Sequence, residues 1–213
     1  MNIALRFSLA LGLAAAGPAA WADATTPGFY LGAAVGKAYA DLNKGDVTGP
    51  LIDVGFPVTG SSEDDDDTGW KVLGGYQVNR YFGIEASWVV LGDYSINANL
   101  GGANPGQVKS ELDLGGAFNL GVTAGYPFTD RLSAFAKLGA VFWDADAKST
   151  ANLASGSAAA KDGANGSDLS FGLGVAYYLT DHIAVRGDWD RYQIGGDADT
   201  DVNLWSLAVQ YKF

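Results

Sequence analysis

From residue 27 onward the chain alternates between bulky apolar and small or polar positions. A period of two sends successive side chains to opposite faces of a β-strand. Val202 to Phe213 is the clearest stretch: Asn203, Trp205, Leu207, Val209, Tyr211 and Phe213 share one face, and Leu204, Ser206, Ala208, Gln210 and Lys212 share the other. Glu111 to Tyr126 reads the same way. Leu112, Leu114, Phe118, Leu120, Val122, Ala124 and Tyr126 lie opposite Glu111, Asp113, Gly115, Ala117, Asn119, Gly121 and Thr123. Phe29–Lys37, Gly69–Val78, Tyr81–Leu91, Arg131–Trp143, Asp168–Leu179 and Ile183–Tyr192 complete a predicted set of eight strands. In Arg131–Trp143 the residues Phe135, Lys137, Val141 and Trp143 share a face, which we assign inward because it carries Lys137.

The connections alternate as well. Asn79-Arg80, Thr129-Asp130 and Asp181-His182 are short turns, whereas the connections near 38–68, 92–110, 144–167 and 193–201 are long and rich in Gly, Asp, Asn, Ala and Ser. This order predicts an all-β, eight-stranded antiparallel up-and-down barrel with both chain ends on the short-turn side. A soluble barrel or sandwich alternates too, so the aromatics decide. Trp70, Tyr76, Tyr81, Phe82, Trp88, Tyr94, Phe118, Tyr126, Phe128, Tyr177 and Trp189 lie mostly near strand ends, as two interfacial girdles require. The opposite face is small or polar, as a narrow lumen requires. The pattern therefore points to a transmembrane barrel.

The first residues are read as a targeting segment. Arg6 precedes an apolar run from Phe7 to Gly17, Pro18 breaks it, and Ala20-Trp21-Ala22 gives the small-x-small pattern of a cleavage site. The run is shorter than the roughly 20 residues that a membrane helix needs. The expected division is a signal peptide over 1–22 and a barrel domain over 23–213. No later apolar run is long enough to span, so a helical membrane protein is excluded, and a closed barrel satisfies the backbone in lipid.

Charge and composition narrow the chemistry. The formal net charge is −11; the signal carries one of 13 basic residues and none of 24 acidic ones, leaving −12. That disfavours nucleic acid as a partner, since its binders need a basic face. There is no cysteine, so disulfides and thiolate chemistry are excluded. Glycine, at 30 residues, is about twice its usual share.

Several motifs resemble the OmpA-type outer-membrane barrel. Gly75-Tyr76-Gln77-Val78-Asn79 followed by Gly83-Ile84-Glu85 resembles that family's second hairpin. Gly125-Tyr126-Pro127-Phe128-Thr129-Asp130, Lys137-Leu138-Gly139 and Trp143-Asp144-Ala145-Asp146 resemble its fourth and fifth strands, and Gly28-Phe29-Tyr30-Leu31-Gly32-Ala33 its first. Ser206 to Phe213, with Tyr211 and Phe213, resembles the signal read by the barrel assembly machinery, although Ala208 stands where Gly is usual. The resemblance implies a bacterial outer-membrane location with periplasmic termini, and lipid and lipopolysaccharide as surroundings. It also implies loop-mediated recognition such as adhesion or phage reception; a monomer is expected because a closed eight-strand barrel needs no partner to remove its edges. Full-length members carry a peptidoglycan-binding domain after the barrel; this sequence stops at Phe213. Matched by motif, the family's charged gate keeps Glu85 and Arg186 but has Thr123 for its lysine and Ala176 for its second carboxylate.

Glu85, Arg186, Lys137, Lys71 and Asp188 form the candidate lumen charge cluster, with Glu111 and Asp113 also expected inward. Such charges must pair, because an unpaired buried ion costs several kcal/mol. They act either as a plug of satisfied polar contacts or as the lining of a narrow path for ions or small solutes. Glu63, Asp64, Asp65, Asp66 and Asp67 in the first long connection, with Asp197, Asp199 and Asp201 in the last, are candidate divalent-cation ligands or a solvated acidic loop. The one histidine, His182, lies in a short turn, away from any nucleophile and orienting group that catalysis would need. No nucleotide loop, haem motif or HExxH is present. No cofactor is expected, and the expected protein is non-enzymatic: an envelope component with at most a small pore, or a recognition protein acting through its acidic loops.

Overall fold

The computed structural model describes residues 26–213 apart from 43, 54, 103–104 and 196–199. The proposed signal peptide, and the Asp197 and Asp199 of the last connection, lie outside the described residues. The elements in order are β1 (Gly28–Ala40), α1 (Lys44–Asp53), β2 (Val58–Asp64), β3 (Asp66–Gln77), β4 (Phe82–Val90), β5 (Gly92–Leu100), β6 (Gly106–Pro127), β7 (Leu132–Leu153), β8 (Gly156–Tyr178), β9 (Ile183–Ile194) and β10 (Thr200–Lys212). All pairings are antiparallel. The ring runs β1-β3-β4-β6-β7-β8-β9-β10 and closes from β10 back onto β1, with Val35 opposite Leu207. β2 and β5 continue β3 and β4 beyond the ring and pair with each other. Among the described residues this is the eight-stranded barrel that the alternation predicts.

The short turns hold their shape through one side chain each. Asn79 Oδ1 accepts from the N–H groups of Tyr81 (2.8 Å) and Phe82 (3.0 Å). Thr129 Oγ1 accepts from Arg131 and Leu132, and Thr180 Oγ1 from His182 and Ile183. This is local side-chain capping of otherwise unpaired N–H groups.

The long connections differ from expectation. Much of 92–110 and 144–167 is regular strand, so β5–β6 and β7–β8 continue past the barrel as hairpins. Backbone pairing alone sustains a ladder there, and small or polar side chains suffice on a face that meets water. Every residue from Gly156 to Asn165 is exposed.

A second correction concerns β6. Its register against β7 shifts between Asp113 and Gly116. A bulge adds one residue to a strand and so exchanges its two faces. Below it Phe118, Leu120, Val122 and Tyr126 point outward. Above it Leu114 is buried in the core and Asp113 is exposed, so Leu112 and Leu114 do not share the face of Phe118. Glu111 and Asp113 are accordingly not lumen residues. Glu111 pairs with Lys109 (2.5 Å) and Lys148 (3.7 Å) instead.

The outward wall is a belt of exposed apolar side chains, including Phe29, Val35, Trp70, Phe82, Trp88, Leu120, Leu138, Leu173, Trp205 and Phe213. Ring pairs gather toward its ends, as with Phe118–Phe142 and Tyr211–Phe213. Water would penalise such a surface heavily at ~25 cal/mol per Å²; hydrocarbon would not. Tyr94 is the exception in the aromatic set: it is buried, and its hydroxyl donates to Leu91 O at 2.7 Å.

Candidate functional site

The barrel interior has two layers. Nearer the short turns it is ionic. Arg186 NH1 donates to Glu85 Oε2 at 2.7 Å and to Gln210 Oε1 at 2.9 Å, and NH2 lies 3.3 Å from the Asp188 carboxylate. Tyr30 adds its hydroxyl to Glu85 Oε2 at 3.0 Å. Lys71 Nζ bridges Asp188 (2.8 Å) and Asp190 (2.5 Å). Lys137 binds Asp190 and reaches Asp188 at 3.7 Å and Glu85 at 3.9 Å. Three cations therefore meet three carboxylates, all nearly buried, in one connected network.

Strand alternation builds this layer. Arg186, Asp188 and Asp190 alternate along β9, so all three point inward. Opposite them stand Ala176, Gly174 and Gly172 on β8. A Cβ at Gly174 would lie 2.4 Å from the Phe135 ring and 2.5 Å from Asp188 Oδ1, so only glycine leaves room for both. Phe135 in turn stacks on Arg186, its ring centroid 4.6 Å from Cζ, which holds the guanidinium toward Glu85.

Nearer the long hairpins the interior is apolar. Ala38, Ala40, Val89, Leu91, Tyr94, Leu114, Ala117, Val141, Trp143, Tyr192, Ile194, Val202 and Leu204 form one buried cluster. Bulky residues fill it, contrary to the small or polar lumen expected. Leucines that break no alternation rule point inward here as readily as their neighbours point outward.

Two small cavities flank the ionic layer. One of about 50 Å³ is lined by Tyr30, Gln77, Arg80, Glu85, Thr123, Ser133, Phe135, Ala176, Tyr178, Arg186 and Gln210. The other, about 10 Å³, lies among Glu85, Asn119, Lys137, Ser170 and Asp190. Among the described residues, Arg186 Nε and Ser206 Oγ are buried without a hydrogen-bond partner.

All five predicted cluster residues, Glu85, Arg186, Lys137, Lys71 and Asp188, thus come together. Asp190, Tyr30 and Gln210 join them beyond the expected set, and Asp190 shares the parity of Arg186 and Asp188. Thr123 and Ala176 line the larger cavity, where the family pattern has charged groups.

The acidic run is split by strand geometry. Asp66 pairs with Lys37 at 2.7 Å. Asp67 accepts from the backbone N–H of Thr68 (2.6 Å) and of Asp93 (2.9 Å), across the kink at Gly92 with φ +91°. Those N–H groups, Asp93 first, hold the Asp67 carboxyl below its usual range. Glu63 is half-buried and Asp64 is exposed near the end of β2, and Asp65 contributes its carbonyl to Ala40 N. Asp201 pairs with Arg191. Among the described residues no group of three or more His, Cys, Asp or Glu is placed to hold a metal ion. His182 Nδ1 contacts Lys212 O at 2.8 Å, and its ring stacks on Tyr211.

Comparison with known proteins adds the following. The family model described as outer membrane protein beta-barrel domain matches residues 7–213. "Outer membrane protein A" of Shigella flexneri is 34% identical over 167 residues, covering 76% of this chain and 44% of that protein. The protein of the same name from Klebsiella pneumoniae is 32% identical over 164 residues, covering 75% and 45%. The chain therefore spans less than half the length of these relatives. Among solved structures, Neisserial surface protein A aligns with a TM-score of 0.49 at 12% identity, covering 88% of this chain and 99% of that one.

Proposed function

Because the chain belongs to the outer membrane protein β-barrel family and so to the bacterial outer membrane, we propose that it is a sealed, non-enzymatic envelope barrel rather than a pore. The observation that carries this is the stacking of two unlike closures in one lumen. The ionic layer fills the cross-section with paired side chains, as an eight-stranded barrel is narrow enough to allow. The apolar layer above offers a permeating ion nothing to replace its hydration. The family-type gate is reduced to Glu85 and Arg186, and Phe135 and Tyr30 hold that pair in place. The chain enters the membrane after cleavage of residues 1–22, with its short turns periplasmic and its hairpins outside; it acts as a monomer among lipid and lipopolysaccharide, placed there by the barrel assembly machinery.

Purified barrel in a planar lipid bilayer is expected to be electrically silent while keeping its heat-modifiable gel mobility. Discrete conductance steps from folded protein would overturn the sealed reading. A second role, surface recognition, is favoured by the β7–β8 hairpin, which is exposed on both faces past the belt. Cells carrying a barrel shortened between residues 147 and 160 are expected to keep the protein in the membrane but lose its partner contacts. Unchanged adhesion and phage sensitivity would count against that role.

A further inference from the structure

We infer that the lumen is wetted from one end only: a blind polar vestibule opens at the short turns and stops at the ionic layer. The inference rests on the sealed lumen proposed above and adds a direction to it.

The cavity of about 50 Å³ has room for water. Its rim carries Arg80, which is exposed and sits in the first short turn, with Gln77 and Ser133 half-buried beside it. Its floor is Glu85, Arg186 and Gln210, the ionic layer itself. Two features mark the floor as hydrated. Arg186 is 3% exposed and its Nε has no hydrogen-bond partner among the described residues, a cost that a water molecule removes. Thr123 and Ala176 are short side chains on the cavity wall and leave space above the floor.

From the other end access is closed. Beside the ionic layer the second cavity, about 10 Å³ and sharing Glu85 and Thr123 with the first, is at the limit of a single water. Above it Val141, Val202 and Leu204 are fully buried and Tyr192 is 1% exposed, in one cluster of buried hydrophobic residues. An apolar space of that kind stays dry. Solutes reaching Glu85 and Arg186 therefore arrive from the short-turn side.

The absence of cysteine makes the test clean. Single variants Ser133→Cys, Thr123→Cys and Ala117→Cys place a thiol at the rim, the vestibule wall and the apolar layer. Ala176→Cys and Ala38→Cys serve as second positions if one variant fails to shift its gel mobility on heating. Silver ion, thiol-reactive and near water in size, is applied to one side of oriented proteoliposomes, and protected thiols are counted by maleimide after unfolding. The expected result is protection of Ser133→Cys and Thr123→Cys from the short-turn side only, and no protection of Ala117→Cys from either side. Protection of Thr123→Cys from the hairpin side, or from neither side, overturns the one-sided vestibule; the second of these leaves the sealed barrel standing. Protection of Ala117→Cys from either side overturns both.

Discussion

The two layers of the lumen solve one problem with opposite chemistry. The ionic layer closes the barrel by pairing Lys71, Lys137 and Arg186 with Glu85, Asp188 and Asp190. The apolar layer closes it by packing Leu91, Trp143, Tyr192 and Leu204 against each other. The first is fragile to the loss of any one member, because each leaves a buried charge behind. The second degrades gradually, because a truncated leucine leaves a cavity and no ion. A membrane barrel is thus not obliged to be polar inside; it needs only a filled cross-section and paired charges.

That contrast can be broken in order of expected effect. Arg186→Ala leaves buried Glu85 with only the Tyr30 hydroxyl and Lys137 at 3.9 Å, and is expected to cost about 3–5 kcal/mol, the range for breaking a buried pair. Urea unfolding of the barrel in lipid vesicles, followed by gel mobility, reads this as a lowered midpoint; an unchanged midpoint would remove Arg186 from the network. Leu204→Ala in the apolar layer is expected to cost about 2–5 kcal/mol, below Arg186→Ala in the same assay. Neither single change should conduct in a planar bilayer, since the other layer still closes the lumen, whereas the double variant should show steps. Steps from Leu204→Ala alone would mean that the ionic layer is no barrier.

Smaller effects lie outside the lumen. Asp67→Ala removes an acceptor from two N–H groups at the Gly92 kink, and each such bond is worth about 0.5–1.5 kcal/mol. The Asp67 pKa is lowered in the fold, so this contribution is full above the unfolded value and disappears as pH falls through the folded one. The gap between wild type and Asp67→Ala midpoints should therefore narrow in acid; a gap that widens would refute the assignment. Lys37→Ala, at an exposed pair with Asp66, is expected to leave the midpoint where it is.

The barrel was legible because alternation depends on the backbone alone. Leu207 out and Ser206 in need no knowledge of neighbours. The five lumen charges followed from the same parity. The apolar layer did not, because a leucine at 204 and a leucine at 207 look alike to any one-strand pattern; which wall is buried depends on what the other strands bring to that height. Leu112, Leu114, Glu111 and Asp113 depart from the pattern for a related reason. Alternation in the sequence runs unbroken through Gly115-Gly116, where the chain has a bulge that reverses it. The hairpins past the belt are not legible in the sequence because their ladder is held by backbone pairing, which leaves no trace in side-chain hydropathy.

The bulge has one more consequence. Alternation is a two-beat rhythm, and one extra residue is a change of phase. Below it β6 turns its oily side chains toward the bilayer; above it the same strand turns Leu112 and Leu114 toward the axis and offers Asp113 to water. A strand of 22 residues can in this way live in two solvents without changing its composition much. The lid of the barrel and the waterline on its wall are set by the same slipped residue, so neither can move without the other.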